Sequence, residues 1–173
     1  MRLDSLQDVL ADQIGDLRSA EEQLVKALPK MVSAAHSDEL RAAFENHLEE
    51  TRGHLQRLQD LIPTLGTPVP METCEGMQGL LAEGDQIVSA QGDPLAKDAA
   101  LIAAAQRVEH YEIAAYGTAR TLAGELDLDD AKDLLDQTLD EEANADKLLT
   151  KIATGGMFKS GVNQAAASRE DRY

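Results

Sequence analysis

Apolar residues recur at intervals of three and four over four long stretches of this chain. That spacing lines one face of an α-helix. In the first stretch, Leu6, Leu10, Ile14, Leu17, Leu24, Val25, Leu28, Met31 and Val32 keep the period and predict a helix over about Ser5 to Ala35. Asp4 with Gln7 reads as its capping box. Pro29 falls inside the pattern, which resumes after it, so a kink is expected and not an end. The second helix begins after Ser37, with Asp38 and Glu39 in the first turn, where the helix dipole favours acids. It carries Leu40, Phe44, Leu48, Leu55, Leu58 and Ile62, and should stop near Gly66.

TPVPMETCEG then reads as a Pro-rich crossover, followed by a shorter helix over about Glu75 to Ala90 that is weakened by Gly76, Gly79 and Gly84. Gly92-Asp93-Pro94 supplies a turn, an N-cap and a first-turn proline. The third long helix runs from about Leu95 to Leu126, with Leu101, Ile102, Ala105, Val108, Ile113, Tyr116 and Ala119 inward. Asp127 or Asp129 opens the fourth, which buries Leu134, Leu135, Leu139, Leu149 and Ile152 and ends at Gly155-Gly156. Residues 1–156 are thus predicted to form an all-α, ferritin-like four-helix bundle, two helical hairpins joined by one long crossover that carries a short extra helix. Residues 157–173 have almost no periodic apolar positions and are expected to be a flexible C-terminal tail.

Composition agrees with a helical domain: 173 residues, 43% hydrophobic, no Trp. The formal net charge of −16 sets partners. It disfavours nucleic acid and anionic membranes and favours cations. The single Cys74 rules out an intramolecular disulfide and fits a reducing compartment. No apolar run spans a bilayer, and MRLDSLQDVLADQ lacks a signal-peptide core, so a cytoplasmic protein is expected. Phosphate-loop, Gly-x-Ser-x-Gly, Cys-x-x-Cys and basic-aromatic signatures are all missing from the sequence.

Four acids break the apolar pattern. On a wheel of about 100° per residue, Glu21, Glu109 and Glu142 fall within the apolar arcs of their helices, and Glu112 shares the arc of Glu109. Glu50 falls at the edge of its arc, with His54 one turn on and inside it, while Glu49 faces out. Asp146 stands one turn after Glu142. An unpaired buried carboxylate costs several kcal/mol, so it is neutralised, paired or bound to metal. One inward Glu is usually an error of the wheel. Four on four helices at similar depth point to a carboxylate-bridged centre for two divalent cations. The candidate ligands are Glu21, Glu50, His54, Glu109, Glu112, Glu142 and Asp146. The remaining groups read blandly first: His47 and His110 as surface or packing residues ahead of ligands, Tyr116 as core ahead of a hydrogen-bond donor beside the site or a radical carrier, Cys74 as a plain loop thiol, Met31, Met71 and Met77 as packing, and Asp140-Glu141 as solvated surface.

The runs SAEEQLVKALPKM (19–31), HLEETRGHLQRL (47–58), DAALIAAAQRVEHYEIAAYGTARTLA (98–123) and LDEEANADKL (139–148) resemble the YciE/YciF family of bacterial ferritin-like proteins. The likeness covers roughly residues 3 to 154. It implies a homodimer, a di-metal site similar to that of rubrerythrins and a link to stress, with Glu21, Glu50, Glu109, Glu112 and Glu142 as ligands. Leu80, Leu81 and Ile87 offer a face for a dimer contact. The chain departs from the usual di-iron pattern of Glu-x-x-His on two helices: here the spacing is one residue longer, and Asp146 replaces one His. A largely oxygen site suits Fe(II) first and Mn(II) next. The expected activity is reduction of peroxide or O₂, with Glu50 and Glu142 bridging two metals, Glu21 and Glu109 capping them and Glu112 mobile. Two alternatives remain, a metal-binding or structural protein without turnover and a ferritin-type cage, and whether the protein is an enzyme stays open.

Overall fold

A computed structural model describes residues 3–156 and 159–170. Four long helices are present: α1 (Leu6–Ala34), α2 (Asp38–Leu61), α4 (Pro94–Glu125) and α5 (Asp129–Thr154). α3 (Glu75–Ser89) lies on the crossover between the hairpins α1–α2 and α4–α5, and a 3-10 turn, Ile62–Thr64, follows α2. The chain is an all-α, ferritin-like bundle with one long crossover, as the periodicity predicts.

Local signals set the ends. Ser5 caps α1 by accepting from Asp8 N at 3.1 Å, and Asp8 Oδ2 accepts from Asp4 N at 3.0 Å. The N-cap is therefore Ser5 and not Asp4, and the acid three residues on, Asp8, accepts from the Ser5 hydroxyl and the Asp4 N–H where the sequence predicts Gln7. Ser37 and Asp93 cap α2 and α4, and the Cys74 thiol caps α3. α1 runs unbroken through Pro29, whose missing N–H leaves the Val25 carbonyl without its usual helical donor. Within α1, Gly15 is required by the crossover: a Cβ there would lie 2.3 Å from the Pro70 carbonyl oxygen.

Asp98 ties the two hairpins together. It is fully buried on α4, and its two carboxylate oxygens accept from His36 N at 2.8 Å and Ser37 N at 2.7 Å in the α1–α2 turn. The apolar core falls into two clusters. One gathers Leu24, Leu28, Phe44, Met77, Leu101, Ile102 and Leu149; the other gathers Leu10, Ile14, Leu17, Leu58, Tyr116 and Leu135. On each long helix the residues separating the two clusters are polar. They are Glu21 on α1, His47, Thr51 and His54 on α2, Glu109 and Glu112 on α4, and Glu142 on α5, all buried. A polar layer thus crosses an otherwise apolar bundle.

Several expectations need correction. The segment expected to be a flexible tail is structured over its described part. Gly155–Gly156 pairs with Lys159–Ser160, and α6 (Val162–Glu170) packs on α4 and α5. Val162 enters the core and Ala165 and Ala166 are half-buried, a set too small to leave a periodic signal. Gly155 makes the turn with φ 75°, and a Cβ there would meet Gly161 N at 2.3 Å. Residues 157–158 and 171–173 of that expected tail lie outside the described residues. Leu6 and Met71 are exposed, not packed, because each sits at the margin of a helix or loop. Leu80, Leu81 and Ile87 pack against the core and are only partly buried. Among the described residues, no helix is long and apolar enough to cross a membrane.

Candidate metal centre

α1, α4 and α5 bring acids and α2 brings imidazoles to the same layer because the wheel position that faces the bundle axis recurs every three to four residues. The buried ligand-type atoms form two groups. His47, Glu109, Glu112 and Glu142 make one, and Glu21, His54 and Glu142 the other; within each group the atoms lie within 4.8 Å of one another. Glu142 belongs to both. Its Oε1 is 2.9 Å from His54 Nδ1, and its Oε2 is 3.8 Å from His47 Nε2. Glu109 Oε1 lies 3.4 Å from His47 Nε2, and Glu21 Oε1 lies 3.4 Å from His54 Nδ1.

Residues around these groups hold them in place. Glu141 Oε2 sits 2.9 Å from His54 Nε2, and Arg57 grips the same carboxylate with bonds of 2.6 and 2.9 Å. Burial disfavours the charge on Glu141, but hydrogen bonds from Arg57, Gln137 and His54 hold its carboxyl down to about 2. An ionised Glu141 accepts the proton of Nε2, so that a metal displacing the Nδ1 proton would meet the Nδ1 lone pair on the side of the acids. Tyr116 donates its hydroxyl to Glu21 at 2.5 Å. Tyr116 thus takes the hydrogen-bonding role that ranks second in the sequence reading, while the solvated-surface reading of Glu141 is incomplete, since Glu141 touches His54.

Electrostatics show the strain of this layer without a cation. Burial pushes Glu112 and Glu109 well above the carboxylate range; neighbouring acids push Glu112 further, while His47 partly relieves Glu109. Burial also raises Glu21, against the pull of His54. Burial works against the charge of Glu142 too, but the two imidazoles outweigh it and hold the group below its usual value. Against their own burial, His47 is raised to about 9, chiefly by the charge of Glu109, and His54 to about 10 by Glu142 and Glu21. Even so, Glu21 Oε2, Glu109 Oε2, His54 Nδ1, both nitrogens of His47 and both oxygens of Glu112 and Glu142 are buried without an aligned hydrogen-bond partner. Buried polar groups of folded proteins are ordinarily satisfied, so a set of orphans facing one centre fits a bound cation.

Of the predicted ligands, the structure brings together Glu21, His54, Glu109, Glu112 and Glu142. Glu50 is not among them. Its side chain is 46% exposed, with Oε2 3.5 Å from His47 Nδ1. Asp146 also stands outside, held by Gln106 at 3.0 Å with His110 Nε2 at 3.4 Å. Sequence reasoning missed His47, which is 5% exposed and inside the first group. The signal was available: His47 precedes His54 by seven residues, two helical turns, so the two imidazoles share one face.

Fold and layer together define an all-α, ferritin-like bundle with a buried carboxylate–imidazole centre suited to cations. Residues 5–167 match a domain of unknown function, DUF892, and the chain belongs to that family. It is 39% identical over 166 residues to Protein YciF of Escherichia coli K12, covering 95% of this chain and all of that protein. The crystal structure of the E. coli stress protein YciF superposes with a TM-score of 0.83 at 40% identity, over 86% of this chain and 94% of that one. YcfI from Rhodopseudomonas palustris, whose description suggests a structural role, gives 0.82 at 38% identity, over 87% and 96%. A Xanthomonas campestris protein at 17% identity shares the fold, with a TM-score of 0.71 over 97% and 98%.

Proposed function

We propose that this protein holds two divalent metal ions, iron or manganese, in the polar layer of its bundle and reduces peroxide or O₂ there. Glu142 would bridge the pair. His47, Glu109 and Glu112 would complete one half, and Glu21 with His54 the other. Glu50 and Asp146 lie outside both halves and are left out of the ligand set. The observation that carries this reading is the convergence of unpartnered buried oxygens and nitrogens from all four long helices.

A mostly oxygen donor set with two imidazoles suits Fe(II) and Mn(II) on ligand type. Such a pair supplies reversible one-electron chemistry and a Lewis-acidic binding position for a peroxide. The protein's own contribution would be orientation and exclusion of water. Arg57 and Glu141 fix His54, and Tyr116 fixes Glu21. The relation to the E. coli stress protein is consistent with a role under stress.

The test is direct. Metal-free protein titrated anaerobically with Fe(II) or Mn(II) should take up two equivalents, and Glu142→Ala should lose most of that capacity. The loaded protein should then consume hydrogen peroxide. A second reading, storage or stabilisation by metal without turnover, draws on the structural role suggested for the R. palustris relative. It requires a sharp rise in melting temperature on loading with no peroxide consumed.

A further inference from the structure

Two clefts reach the His47–Glu109 side of the layer, one on either side of Phe44. One, of about 30 Å³, is walled by Leu24, Leu28, Leu80, Leu81 and Val108 from α1, α3 and α4. The other, of about 130 Å³, opens between α2 and α5, with Asn46, Glu50 and Asn144 among its lining and His47 and Glu109 at its floor. A hydrated divalent ion entering the first would shed water against hydrocarbon, which is costly. Along the second, amide oxygens and a carboxylate can replace that water stepwise.

Glu50 is placed for the first of these contacts. It is half-exposed, and its Oε2 is 3.5 Å from Nδ1 of His47. His47 itself is buried with neither ring nitrogen in an aligned hydrogen bond. Both clefts are lined by His47 and Glu109 and neither by Glu21 or His54, so an ion entering by either meets the His47–Glu109 half before the other.

We propose that the cleft between α2 and α5 is the port by which hydrated divalent cations enter, with Glu50 capturing the ion at the rim and passing it to His47 and Glu109. This rests on the metal-binding reading given above. It assigns Glu50 a transient contact in place of a resident one. It also orders the filling: the His47 half loads first, and the Glu21–His54 half fills through Glu142.

The experiment is stopped-flow uptake of Co(II) by the metal-free protein, followed by absorption of the bound ion, with stoichiometry measured at equilibrium. Glu50→Gln removes the rim charge, and Ala145→Leu narrows the cleft from α5. Each should slow uptake about tenfold, within the range of electrostatic focusing and access effects, and leave the final stoichiometry unchanged. Glu49→Gln, one position away and paired with Arg52, should leave the rate at the wild-type value. Circular dichroism checks that each variant is folded; if Ala145→Leu is not, Glu50→Gln decides. Equal uptake rates in wild type and Glu50→Gln would overturn the port while leaving the metal centre standing. Loss of an equivalent at equilibrium in Glu50→Gln would also overturn it, because Glu50 would then be a resident ligand. No Co(II) uptake by the wild type would instead remove the metal-binding reading itself.

Discussion

Glu141 Oε2 lies 2.9 Å from His54 Nε2 on the outer side of that ring, while the inner nitrogen faces Glu142 and Glu21. A carboxylate behind a ligating imidazole sets its tautomer and raises its basicity, and loss of such a partner typically costs about 10–100-fold in metal affinity. Glu141→Ala should therefore weaken Mn(II) binding by about that factor, although Glu141 belongs to neither ligand group. Competition against a chromogenic chelator reads the effect. An affinity within twofold of wild type would show that His54 needs no such support.

In the metal-free protein protons stand in for metal, and this gives a pH signature. Folded-state values of about 9 for His47 and about 10 for His54 lie above the ordinary imidazole value. Raised groups stabilise the fold below their unfolded value and lose that contribution as pH climbs through the folded one. Glu109 and Glu112 are also raised, so they act in the same direction. The metal-free protein should lose stability from about pH 4.5, where the raised acids begin to act, up to about 10, with His54→Gln flattening the upper part of the fall. Saturating Mn(II) should abolish the decline, because the ion takes the place of the protons. Binding should accordingly release protons and tighten with pH, measurable by calorimetry in buffers of different ionisation enthalpy.

Glu112 is the clearest case of a residue kept against the interest of the metal-free fold. It is fully buried, and neither carboxyl oxygen has an aligned partner. Replacing even a buried ion pair with apolar residues of similar volume is often neutral or stabilising, by about 1–4 kcal/mol, and a buried acid without a partner has less to lose. Glu112→Met should raise the urea midpoint of the metal-free protein and at the same time lower its metal capacity. A variant that is less stable without metal would show that Glu112 has a structural partner after all.

The helices were legible because the periodicity is long and unbroken, and the inward acids because an acid inside an apolar arc is conspicuous. Glu21, Glu109, Glu112 and Glu142 emerged in that way. Choosing among near-edge residues of α2 failed for a geometric reason. Glu50 and His47 are three positions apart and flank the same arc, so a small rotation of the helix decides which one is buried. Here the rotation favours His47. Glu141 was unreadable because its function lies in reaching over the helix edge to His54 and Arg57, contacts between α5 and α2 that no wheel contains. Packing of α6 puts Val162 in the core with only Ala165 and Ala166 half-buried beyond it, too little to leave a periodic apolar pattern.

Asp98 provides the counter-example that separates a satisfied buried acid from an unsatisfied one. Like Glu112 it has no exposure, yet both its oxygens are used, by His36 N at 2.8 Å and Ser37 N at 2.7 Å. Asp98→Asn would turn an amide NH₂ toward one of those N–H donors and leave that donor unmet. Hydrogen bonds to a charged group are worth about 1.5–3 kcal/mol, so a loss near 2 kcal/mol is expected from urea unfolding. Because Asp98 joins the α1–α2 turn to α4 and belongs to neither ligand group, the variant should still bind the wild-type complement of metal. A fall in stoichiometry with little change in stability would place Asp98 in the metal chemistry and undo the distinction drawn between the two kinds of buried acid.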